Sequence, residues 1–138
     1  MENIRVNGII NAPAQAVWEI VRDFGALHTY VEAVENCTLE KRGTETVRIL
    51  TLADGAEVSE RLEALDDEHR QLSYSIIESP LPVDNYLSVM EVKPKYNNAS
   101  EFVWSSRFEV AEEAAEEIKN NLQGLYAMAV SGLRNKFS

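Results

Sequence analysis

The sequence predicts an α+β domain: a curved antiparallel sheet of seven strands, two short helices after the first strand, and a long C-terminal helix lying over the concave face. Two observations predict it. Residues 34–110 fall into successive strand-like segments joined by short turn signals, which favours antiparallel neighbours over crossover connections. The last third then changes to helical spacing, with Ile118, Leu122, Leu125, Ala129, Leu133 and Phe137 three or four residues apart.

The first strand is read over 3–10, where Ile4, Val6 and Gly8 alternate with Arg5, Asn7 and Ile9. Pro13 suits a first helical turn, where its missing N–H costs nothing. Val17, Ile20, Val21 and Phe24 continue that helix over 13–23, Gly25 ends it, and a second short helix covers 25–31. Strands follow over 34–42, 46–53, 56–66, 71–79, 86–94 and 100–110, with Asp54-Gly55 a two-residue hairpin signal between the third and fourth. Pro80 and Pro82 break the ladder and mark 79–84 as an apolar, proline-stiffened loop. In the terminal helix Glu112, Glu113, Glu116 and Glu117 stand at the start, and Arg134 and Lys136 at the end. Both placements complement the helix dipole. About 25 helical residues would span roughly 37 Å, enough to cross a whole sheet.

With 138 residues the chain suits one domain, 1–138. A formal net charge of −10 argues against nucleic acid and against anionic membrane surfaces. No apolar run reaches the ~18 residues of a membrane span, and the N-terminus lacks a signal-peptide pattern, so no membrane insertion and a cytoplasmic location are expected. Cys37 is the only cysteine and cannot form an internal disulfide, which fits a reducing compartment. Metal-ligand spacing, phosphate loops and nucleophile elbows are absent, so neither metal nor cofactor is expected.

Several stretches carry a resemblance. Ile10-Asn11-Ala12-Pro13-Ala14-Gln15-Ala16-Val17-Trp18, Val21-Arg22-Asp23-Phe24, Glu60-Arg61-Leu62-Glu63-Ala64-Leu65-Asp66-Asp67, Leu72-Ser73-Tyr74-Ser75-Ile76, Pro82-Val83-Asp84-Asn85-Tyr86 and Val103-Trp104-Ser105-Ser106-Arg107-Phe108 follow in order across nearly the whole chain. Together they resemble the START-like (SRPBCC, Bet v 1-like) superfamily, and within it small bacterial polyketide cyclase/dehydrase-like proteins, including those found with methanol-oxidation genes. The resemblance implies a helix-grip fold and a hydrophobic cavity between sheet and helix. The same stretches resemble plant abscisic-acid receptors, with departures. Glu35 stands where those receptors place a lysine for the hormone carboxylate. Leu52-Ala53-Asp54-Gly55 and Leu81-Pro82-Val83 replace their two loop motifs. These departures imply that the chain is not a receptor for that hormone.

Period-two alternation assigns an inward face to Val47 and Ile49, to Val58, Glu60 and Leu62, to Leu72, Tyr74 and Ile76, and to Tyr86, Ser88, Met90 and Val92. On the last strand, pattern selects Trp104 and Phe108, whereas the resemblance selects Val103, Ser105 and Arg107. The expected ligand-binding set is Ile49, Val58, Glu60, Leu62, Tyr74, Ile76, Leu81, Tyr86, Ser88, Ser105, Leu122, Leu125 and Ala129. Glu60 is either a surface carboxylate in a shifted register or a pocket carboxylate that must be paired, protonated or wet. Gly124 and Gly132 each cost about 1 kcal/mol inside a helix and call for close packing or ligand space. Three functions remain open. The first is a binding protein for a small hydrophobic ligand, with a cavity of roughly 300–1,000 Å3. The second is a cyclase, dehydratase or lyase using Glu60, Tyr86 and Arg107 on one wall, with His28 a further base candidate. The third is an interaction module built on loop 79–84, a surface equally suited to a homodimer.

Overall fold

The computed structural model describes residues 1–138, and all seven strands form one sheet in the order β1-β7-β6-β5-β4-β3-β2. The strands are β1 (Glu2–Ile10), β2 (Val34–Arg42), β3 (Glu45–Leu52), β4 (Glu57–Asp66), β5 (Gln71–Glu78), β6 (Val83–Pro94) and β7 (Ser100–Val110). Every pairing is antiparallel. β2 to β7 form a meander in which each strand pairs with the next, and β1 closes the far side against β7. Helix α1 (Ala14–Val21) and a 3-10 turn (Leu27–Thr29) follow β1. A second 3-10 turn, Glu112–Ala114, leads into helix α2 (Ala115–Lys136). This is the helix-grip arrangement.

Three local expectations change. The second short helix, expected over 25–31, is a single 3-10 turn, Leu27–Thr29. The Asp54-Gly55 turn is a four-residue connection, 53–56, in which Asp54 Oδ1 accepts from the Ala56 amide at 2.9 Å. β6 begins at Val83, directly after Pro82, and absorbs its awkward start in a bulge between Asp84 and Leu87, with Asn85 at φ 52°.

The buried face of α1 carries Val17, Trp18 and Val21. The indole Nε1 of Trp18 donates to Asp67 Oδ1 at 2.8 Å, and Arg22 Nε donates to the same oxygen at 2.8 Å. Asp67 therefore ties α1 to the β4–β5 turn. α2 buries Ile118, Leu122, Tyr126, Ala129, Val130 and Leu133 against the sheet. The core is one cluster of 29 buried residues drawn from both helices and every strand.

The two helical glycines have different surroundings. A Cβ at Gly132 would collide with the Tyr30 carbonyl, so α2 packs against the 3-10 segment with no room for a side chain. A Cβ at Gly124 would meet nothing within 4 Å. Gly132→Ala is expected to destabilise the protein by about 1–3 kcal/mol through overpacking. Gly124→Ala is expected to stabilise it by about 1 kcal/mol through helix propensity. Urea unfolding of the two variants checks the pair, and shifts of the same sign would contradict this account.

Candidate functional site

The inner faces of β3, β4 and β5 meet at one buried ion pair. Arg48 and Glu60 are cross-strand partners in the β3–β4 register. They are 1% and 6% exposed, and Arg48 Nε donates to Glu60 Oε1 at 2.7 Å. The guanidinium lies between two rings, 4.0 Å from the Phe24 centroid and 4.7 Å from that of Tyr74, and Nη1 donates to the Phe24 carbonyl at 3.3 Å. Cation–π attraction on both faces offsets part of the cost of removing the charge from water. Nη2 is buried with no partner. Burial is the largest influence on the Arg48 charge and opposes it, but Glu60 together with Tyr74 and Tyr30 outweighs it, so its pKa is raised. Burial also pushes the Glu60 carboxyl up, against the pull of Arg48.

Beside the pair, between sheet and α2, lies an enclosed cavity of about 60 Å3. Thirteen of its fourteen lining residues are hydrophobic, and the exception is Glu60. This volume corrects the 300–1,000 Å3 expectation, because it is room for about two waters. The missing space is occupied by aromatic side chains. Trp104 stacks on Tyr126 of α2 with ring centroids 3.9 Å apart, and Tyr86 packs against Phe108 at 5.9 Å. Their polar atoms are joined: the Tyr86 and Tyr126 hydroxyls bond to each other, Tyr126 donates to Ser106 Oγ at 3.1 Å, and Trp104 Nε1 donates to Ser88 Oγ at 2.8 Å. Burial raises the phenol pKa of Tyr74, Tyr86 and Tyr126, so all three stay protonated donors at neutral pH.

Of the expected set, Val58, Glu60, Tyr74, Ile76, Leu81, Tyr86, Leu122 and Leu125 line this cavity. The others lie elsewhere. Ile49 lies on the opposite face of β3, paired with Ser59, as does Val47, paired with Arg61; Arg48 and Leu50 point inward. Alternation had put the lone arginine of β3 outside, but its charge is absorbed by Glu60 and two rings. On β7, Trp104, Ser106 and Phe108 face the core, so Ser105 and the exposed Arg107 lie on the outer face and Arg107 cannot join Glu60 and Tyr86. Val103 likewise belongs to the outer side, although neighbours cover it. Ser88 is buried but spent on Trp104 and, at 3.0 Å, on the Ser105 carbonyl. Ala129 is buried in helix–sheet packing, and Leu62 is half-buried beside a strand irregularity, both away from the cavity. Glu35 is exposed at the β2 bulge between Val34 and Asn36, so it does not face the cavity, and the carboxylate that does is Glu60. His28 is exposed in an open surface groove against α2, and His69 pairs with Asp66 at the surface. Leu81 turns into the cavity wall instead of forming an outward apolar patch.

Sequence reasoning missed Arg48, Leu27, Val34, Leu50 and Tyr126, while Trp104 is the inward residue that pattern alone selects on β7. A signal for Arg48 existed: if Glu60 points inward it needs a cation, and Arg48 is the only basic residue of the adjoining β3.

Residues 1–138 match the family described as polyketide cyclase/dehydrase and lipid transport. The chain belongs to that family. It is 33% identical to the abscisic acid receptor PYL2 of Arabidopsis thaliana, over 88% of this chain and 74% of the receptor. The protein XoxI from Bacillus cereus superposes with a TM-score of 0.92 at 32% identity, covering 99% of this chain and 96% of XoxI. Norcoclaurine synthase from Thalictrum flavum, solved with dopamine and hydroxybenzaldehyde, shares the fold with a TM-score of 0.76 at 21% identity, covering 97% of this chain and 84% of the synthase. Members of this family are ligand-binding proteins of the START/Bet v 1-like type. No helix of the chain is long and apolar enough to cross a membrane.

Removing one half of the ion pair strands the other. Arg48→Met is expected to cost about 3–5 kcal/mol, and Arg48→Met with Glu60→Leu distinctly less, because no buried charge remains. Equilibrium unfolding of both variants measures this. The raised Glu60 pKa also has a pH consequence. The folded state keeps a proton that the unfolded carboxyl, near 4.5, has already released, so this group's contribution to stability falls as pH rises above that value. The stability of the wild type relative to Glu60→Gln should therefore decline as pH rises from 4 towards neutrality. A rising difference would show the opposite shift.

Proposed function

We propose that the protein binds a small hydrophobic ligand, such as a lipid, a polyketide or another ring compound, in the cavity between sheet and α2. The observation that carries this reading is the composition of the cavity wall, apolar throughout except for Glu60. A domain that needed only stability would gain by filling such a gap with an aliphatic side chain and by replacing the ion pair with hydrophobic residues. The rim also supports it. Leu27, Leu52 and Leu81 come from a 3-10 turn, a strand end and a proline loop, segments that can move without breaking the central ladders. At about 60 Å3 the site is too small for such a ligand, so binding requires these segments to swing outward. The similarity to a hormone receptor and the family's lipid-transport description point the same way. A single buried thiol, Cys37, fits a cytoplasmic setting.

A second reading, a cyclase, dehydratase or lyase in the same cavity, draws on Glu60 and Tyr86 sharing one wall, an acid–base pair of tunable protonation. Arg107 has no part in it. In this version Glu60→Gln would abolish turnover of a bound substrate while leaving its binding measurable.

Native mass spectrometry of the gently purified protein tests the first reading. A co-purified apolar molecule is expected, lost from Leu125→Trp, which plugs the cavity. A wild-type protein that always flies at its bare mass, and that shows no protection of residues 53–56 and 79–84 from hydrogen exchange with any hydrophobic extract, would refute it.

A further inference from the structure

We infer that the ligand is electrically neutral and presents a hydroxyl group to Glu60. This rests on the cavity being the ligand site, and it names the chemistry that the site selects. Glu60 is the only charged residue in the wall. Its carboxylate receives a single hydrogen bond, from Arg48 Nε to Oε1 at 2.7 Å, so the second oxygen has acceptor capacity unused. Arg48 Nη2, on the other half of the pair, lacks an acceptor. Arg48 is not part of the cavity wall, so the unmet need that a ligand can reach is a donor for the second Glu60 oxygen.

Charge arithmetic selects among the groups that could supply that donor. Arg48 and Glu60 sum to zero, and hydrophobic side chains form the rest of the wall. A ligand carboxylate would add an anion directly against Glu60, with the only nearby cation already engaged. A ligand ammonium would satisfy the carboxylate but leave the buried pair with a net positive charge. Each leaves one uncompensated ion out of water, the arrangement interiors avoid most strongly. A purely apolar ligand adds no charge but leaves the carboxylate oxygen dry and unbonded. A hydroxyl supplies the missing donor and carries no charge.

The experiment is a set of 15N-amide NMR titrations of the full chain at pH 7 with four probes of similar size: phenol, toluene, benzoate and benzylamine. Phenol is expected to bind about ten-fold more tightly than toluene, as one hydrogen bond to a buried charged group warrants. Benzoate and benzylamine should give no saturable shifts at Leu122 and Leu125. In Glu60→Gln the guanidinium loses its counter-ion, so benzoate binding should appear and the advantage of phenol should shrink. Equal affinity for phenol and toluene, or benzoate binding to the wild type as tightly as phenol, would overturn the inference while leaving the cavity as a binding site. Silence from all four probes would overturn the cavity reading and this inference with it. If Glu60→Gln fails to fold, the wild-type ranking alone still decides.

Discussion

The contact between Arg48 and Glu60 sets the terms for its surroundings. Two charges buried in a small α+β domain need compensation from nearly every neighbour, and the neighbours are arranged to give it. Phe24 and Tyr74 sandwich the guanidinium, and the Phe24 carbonyl accepts one of its protons. The β3–β4 register places the carboxylate directly across from it. A slip of β3 by one residue would turn Arg48 to the outer face, bring Val47 and Ile49 in, and leave Glu60 buried without its cation. Hydrophobic pattern alone would tolerate that alternative, because Val47 and Ile49 are as apolar as Leu50 and Leu52. The ion pair supplies register specificity that the apolar residues do not.

Around this pair the core is unusually rich in hydroxyls and rings. The cluster of Tyr86, Tyr126, Ser106, Trp104 and Ser88 satisfies its polar atoms internally, so its members pack as hydrophobes while keeping their donors in use. The Arg48–Glu60 pair does not reach that state. One cavity wall is complete and the other is not, and the cavity lies between them. Small volume and unfinished polar chemistry in the same place are difficult to attribute to packing alone.

The fold was legible from the sequence because its signals are local. Turn residues separate the strands, Pro13 opens α1, and the acidic-to-basic gradient marks α2. The facing of β4, β5 and β6 was legible too, since Val58 and Glu60, Leu72 and Tyr74, and Tyr86, Ser88, Met90 and Val92 recur at period two and are buried. β3 was not, because Val47, Ile49, Leu50 and Leu52 offer an apolar residue to either face and the deciding residue is an arginine whose burial depends on a partner twelve positions away. On β7, Phe102, Trp104 and Phe108 follow simple alternation, whereas resemblance to relatives pointed to the wrong face. Leu27, Leu52 and Tyr126 complete the cavity from three separate segments, a convergence that no one-dimensional pattern encodes. The aromatic filling that reduces the cavity to about 60 Å3 is likewise a property of packed volumes, not of spacing.

The pairing of β1 with β7 has a consequence for synthesis. Residues 2–10 are synthesised well before their hydrogen-bonding partners at 100–108, and α2, which packs on β1, follows later still. Until then the β2–β6 meander can assemble by local hairpins, but its inner face stays uncovered. The nascent chain therefore passes through a stage in which the inner face that α2 covers is still in water. The completion of the cavity, whose wall takes Leu122, Leu125 and Tyr126 from α2, thus belongs to the last act of folding.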